Sequence, residues 1–165
     1  MNDAHLHMIV NHFPIIGTIL GLVVLIGGMY FKSISIKNTS YFLFIIAAVF
    51  TVFSMATGDG AEKLVEDMPA IGHEIIHNHE EFAEKLAIVM YLLGVVSVIG
   101  LIANVNHHAK AKFFSYAILV VAVVAVFLST KVGTSGGEIR HTEIRPDAVL
   151  LNTNLERKES AVDKD

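Results

Sequence analysis

Nine histidines in a chain of 165 residues are the side chains best suited to chemistry here. A neutral imidazole ligates metals and haem iron, and its charge state changes near neutral pH. Seven of them, His5, His7, His12, His73, His77, His79 and His141, fall in three short stretches, while His107 and His108 stand apart beside Lys110. On a helix turning ~100° per residue, His5 and His12 share a face, whereas His7 and His12 point about 140° apart. One helix could therefore offer ligands to two partners. His73 and His77 share a face at i, i+4, and His79 lies about 160° around the helix from His77.

Two chemistries could use such a set. In the first, two neutral imidazoles from facing helices hold one or two b-type haems in an apolar bundle. The propionates then seek cations at the water interface, where Arg140 and Lys131 fall, and Gly133, Gly136 and Gly137 allow close approach of backbone. Those glycines also predict that residues 133–141 fold back over the bundle end and bring His141 to the site. In the second, a non-haem metal is bound. His73-Glu74-Ile75-Ile76-His77 is an HExxH string, which on a helix presents two histidines to zinc with Glu74 as base, and Glu80 or Glu81 could complete the set. A carboxylate-rich iron or manganese site could draw on Glu62, Glu66, His79 and Glu80.

The elements that would carry these residues follow from the charges. No Asp, Glu, Lys or Arg occurs in Ala4–Phe31, Asn38–Gly58, Leu86–Ala109 or Phe113–Thr130, gaps of 28, 21, 24 and 18 residues. Each is close to the ~20 residues that cross a hydrocarbon core as a helix. With 53% hydrophobic and 17% charged residues and a mean hydropathy of +0.59, the composition agrees. The expected fold is an all-α four-helix transmembrane bundle, with spans about 6–31, 39–58, 84–105 and 112–131 in a membrane domain of residues 1–146. Gly58 and Gly60 predict a bend, Asp67-Met68-Pro69 a break, and residues 60–83 a short outer helical segment. Residues 147–165 read as a polar, flexible tail.

Composition also excludes. A formal charge of −4 leaves no footprint for nucleic acid. Without cysteine there is no disulfide, iron–sulfur cluster, thiolate zinc site, cysteine nucleophile or covalently attached c-type haem. The connections after spans one and three carry Lys32, Lys37, Lys110 and Lys112 and no acid, whereas all 16 acids fall at the other end. By the positive-inside rule the lysine connections are cytoplasmic and both termini face outward. The histidine-rich end is then periplasmic, in a multi-pass protein of a bacterial inner membrane.

Four stretches resemble a bacterial family of small four-helix membrane proteins. His7-Met8-Ile9-Val10-Asn11-His12-Phe13-Pro14 is similar to its HPxxVHFP signature, with Met8 where proline commonly stands. Thr57-Gly58-Asp59-Gly60-Ala61-Glu62 resembles a TGxxAE stretch, His79-Glu80-Glu81-Phe82-Ala83-Glu84 an HEExAE stretch, and Gly133–His141 the closing GxxGGxIRH segment. The resemblance implies haem b and membrane electron transfer, with His7, His12, His79 and His141 as site residues; His5, His73 and His77 have no counterpart. The expected function is a b-type cytochrome passing electrons between the quinone pool and a redox partner protein. It could act in a homo-oligomer or a larger membrane complex. The competing readings are a non-haem metal enzyme using His73, His77, Glu80 and Glu62, and a structural subunit.

Overall fold

A computed structural model of the chain describes residues 2–66, 71–145 and 148. Among them the structure is all-helical, with no strand. α1 (Asp3–Val10) and α2 (His12–Tyr30) together make a first span, followed by α3 (Ile34–Val65), α4 (His73–Val105) and α5 (Ala111–Arg140). All four spans are long and apolar enough to cross a membrane. Each packs on the next in sequence, α2 closes the ring against α5, and α1 lies on α3.

The break between α1 and α2 has a local cause. Pro14 has no N–H to give the Val10 carbonyl, and its ring crowds that carbonyl, so the helix is interrupted at Asn11. Thr18 Oγ1 donates instead to the Pro14 carbonyl at 2.6 Å, which secures the next turn. Upstream, the Asn2 side chain caps α1 by accepting the His5 N–H at 3.0 Å.

The packing is that of helices in lipid. Along α5 the buried positions are Ser115, Ile118, Ala122, Ala125, Ser129, Val132 and Ser135, one stripe of mostly small residues at three- and four-residue spacing. The Cβ that Gly94 lacks would lie 2.7 Å from Ala48 Cβ, so α3 and α4 approach nearly backbone to backbone. Large side chains such as Ile88, Val120 and Phe127 face outward, each more than 60% exposed. Without a hydrophobic drive between helices in lipid, small residues that allow close contact hold a bundle together. The core itself gathers Leu25, Tyr41, Phe44, Met90, Leu93 and Ile118.

Two connections at one end share a single motif. After α2, the Lys32 N–H donates to the Met29 carbonyl at 3.2 Å and the Ser33 N–H to the Gly28 carbonyl at 3.0 Å. After α4, His107 donates to Asn104 at 3.2 Å and His108 to Ala103 at 2.8 Å. This is a Schellman closure, which needs a left-handed residue after the cap. Lys32 (φ 54°) and His107 (φ 49°) fill that place, where glycine is usual.

Past Gly58 and Gly60 the chain stays helical, α3 continuing through both to Val65. One expectation is corrected: residues 133–140 do not fold back, because α5 runs unbroken to Arg140 and the chain turns only at His141, into a short turn of 3-10 helix at Thr142–Ile144. Charge-free length marks the apolar part of a helix and not its ends, so α3, α4 and α5 all extend past the expected spans into polar sequence. The break at residues 67–70 and the tail at 147–165, residue 148 apart, lie outside the described residues.

Candidate functional site

The end of the bundle opposite the lysine connections carries all the histidines but His107 and His108, and hydrogen bonding sorts them. His7, half-buried on α1, places Nδ1 3.1 Å from the Ser54 carbonyl and 3.1 Å from Thr57 Oγ1, both on α3. A carbonyl only accepts, so Nδ1 carries the proton and, in the neutral ring, Nε2 carries the lone pair. Thr57 gives its own hydroxyl proton to the Phe53 or Ser54 carbonyl, which leaves its oxygen to accept from His7.

His79, half-buried on α4, repeats the arrangement with a different partner. Its Nδ1 lies 3.0 Å from Ser135 Oγ on α5, and that hydroxyl donates to the Val132 carbonyl at 3.2 Å. With the Ser135 proton on the Val132 carbonyl, the Ser135 oxygen accepts and the imidazole is the donor here too. The ring rests on Gly136, where a Cβ would lie 3.0 Å from His79 Cε1. On the other side Gly58 faces the His7 ring, whose Cε1 is 4.0 Å from the Cβ it lacks. His7 and His79 lie near enough that charge on the first is felt at the second.

The other expected ligands are placed differently. His12 is exposed on α2 and donates from Nδ1 to the Met8 carbonyl of the preceding turn at 2.9 Å. His141 is exposed beyond α5, with Nδ1 2.9 Å from Glu143 Oε1. Its own backbone N–H, and then His141, hold the Glu143 carboxyl below the usual range. In both rings Nδ1 is the engaged nitrogen, and its partner is local, not His7 or His79. His108 does the opposite: its Nδ1 accepts the Lys110 N–H at 3.1 Å, a bond that closes the α4–α5 connection.

His5, His73 and His77 are exposed. His77 Nδ1 approaches Glu80 Oε2 at 4.0 Å, and Glu62 of α3 lies close to the same carboxyl. A surface cleft of about 350 Å³ beside them is lined by Glu74, Ile75, His77, Asn78, Glu81 and Glu138. Among the described residues no three His, Asp or Glu side chains converge as a metal site, the HExxH string included.

Arg140 ends α5 on the exposed side, and Gly137 admits Ile144, whose Cδ1 lies 3.3 Å from where a Cβ would be. The sequence did not point to Ser54, Thr57, Ser135 or Arg145. Arg145 caps α5 by donating to the Glu138 carbonyl at 2.9 Å and the Ile139 carbonyl at 3.3 Å. Thr57 and Ser135 do lie inside the motif stretches, but their partners come from other helices.

No protein-family model, curated protein or solved structure matches this chain. The site is therefore read from its own geometry.

Proposed function

We propose that the chain is a membrane-embedded b-type cytochrome of the bacterial inner membrane, with its termini and haem site on the periplasmic side. It would serve quinone-linked electron transfer. The observation that carries this reading is the His7–His79 pair. Two half-buried imidazoles come from two different helices, each with Nδ1–H engaged by a fixed oxygen and Nε2 free of that bond. A bis-histidine haem takes two axial imidazoles, its other four ligands coming from the porphyrin, whereas a non-haem metal centre draws three or more ligands from the protein.

The donor set fits the group. Ser54, Thr57 and Ser135 would fix the ligand tautomer and raise the basicity of each imidazole, the usual office of outer-sphere hydrogen bonds. Gly58 and Gly136 keep both rings clear of side-chain bulk. When bound, haem b supplies one-electron transfer. His12, His141 and Arg140 stand at the same end, exposed, where a second haem or the propionates of the first would meet them. Glu62 and Glu80 stand near one another at this end, as carboxylates that could accept a proton from a quinol oxidised at this surface.

The visible spectrum of the purified protein tests the reading. A Soret band with a sharp reduced α-band is expected, lost or shifted in His7→Ala and His79→Ala and unchanged in His108→Ala. A haem-free protein from haem-replete cells, or equal spectra in all three variants, overturns it.

A further inference from the structure

Four lysines at the other end of the bundle from His7 and His79 take no part in that site. Lys32 and Lys37 flank the α2–α3 connection, Lys110 and Lys112 the α4–α5 connection. Two side-chain hydrogen bonds gather these connections at one end. Asn104 Nδ2 donates to Asn38 Oδ1 at 2.8 Å, and Tyr41 Oη to Ser115 Oγ at 2.7 Å. Lys32, Lys110 and Lys112 are exposed, while the Lys37 stem crosses Gly28, 2.9 Å from where a Cβ would stand. Among the described residues none of the four joins an ion pair. No acid occurs between residues 4 and 58 or between 86 and 130, so none is near in sequence to relieve the repulsion.

The same end carries aromatic side chains turned outward: Tyr30 is 80% exposed, Phe31 70% and Phe113 66%. Aromatic rings beside lysines, at the end of an apolar helix, belong at headgroup depth. An anion held there would have acyl chains against the exposed apolar faces below, so lipid phosphate fits better than free phosphate. We propose that this end binds the headgroup phosphates of anionic phospholipids, the two lysine pairs favouring a lipid with two phosphates. Such a lipid can engage both connections while losing its freedom once. The Schellman closures fix the backbone that carries Lys32 and adjoins Lys110, so the charges are presented on a rigid frame. This inference is independent of the haem reading.

The test uses the full chain reconstituted in phosphatidylcholine bilayers with trace spin-labelled phosphatidylcholine, phosphatidylglycerol or cardiolipin. Electron spin resonance reads the fraction of each label that is motionally restricted. The expected order is cardiolipin, then phosphatidylglycerol, then phosphatidylcholine, with the preference reduced by high salt. Each Lys→Gln change should lower the anionic preference about 5-fold at low salt. Replacing all four lysines with arginine should retain it, which separates charge from folding. Equal restriction of all three lipids, a preference that survives in the variant with all four lysines changed to glutamine, or loss of the preference to added inorganic phosphate would overturn the proposal.

Discussion

A histidine can ligate only through the ring nitrogen that bears the lone pair, so the partner of the other nitrogen decides whether the residue is available. That partner separates His7 and His79 from His108. The Ser54 carbonyl forces His7 Nδ1 to donate, the Ser135 hydroxyl can accept from His79 Nδ1 while donating to Val132, and the backbone N–H of Lys110 forces His108 Nδ1 to accept. Ser135→Ala therefore removes the acceptor of His79 without touching the ligand. Haem retention should fall about 10-fold, the cost usual for an outer-sphere partner, and Ser135→Thr should restore it. Titration of the apoprotein with haem measures both. In Gly136→Ala the new Cβ would crowd His79 Cε1, so the ring must move by a few tenths of an ångström and the spectrum should shift. An unchanged affinity and spectrum in both variants would mean that His79 is not a ligand. Residue types exposed the histidines in the sequence, but not their tautomers, because each anchor lies on another helix.

Elements were easier to read than sites, and for a physical reason. Lipid tolerates no unpaired backbone, so a charge-free run of sufficient length has only one structure open to it. The ends of α3 and α5 were harder, because outside the hydrocarbon a helix may carry charge and glycine while its neighbours support it. Gly136 and Gly137 look like a hinge in the sequence. In the fold they are contact points, admitting His79 and Ile144 to the last turns of α5. The Schellman closures were hidden for a similar reason, since Lys32 and His107 occupy a place that usually announces itself as glycine. A left-handed residue with a Cβ is strained by ~1–2 kcal/mol, part of which glycine returns as chain entropy. His107→Gly should stabilise the protein by about 0.5–1 kcal/mol and His107→Val should destabilise it by at least as much. Unfolding of the two variants in detergent checks both signs.

At the scale of the whole molecule the ends of the bundle differ in charge. Among the described residues, one gathers four lysines outside any ion pair, and the other holds the acids and the histidines of the candidate site. Asn38–Asn104 and Tyr41–Ser115 join the two lysine connections into a single end, so they cannot fall on opposite sides of a bilayer while the helices span it. Orientation is then one choice for the entire chain, and the lysine bias is the basis for the periplasmic placement proposed above. Moving these lysines outward would work against both insertion and the anionic inner leaflet. Alkaline phosphatase fused after Asp165 should be active, since that enzyme matures only outside the cytoplasm, and a fusion at Lys110 should be inactive. The reverse pattern would put His7 and His79 on the cytoplasmic side and overturn the periplasmic placement proposed above.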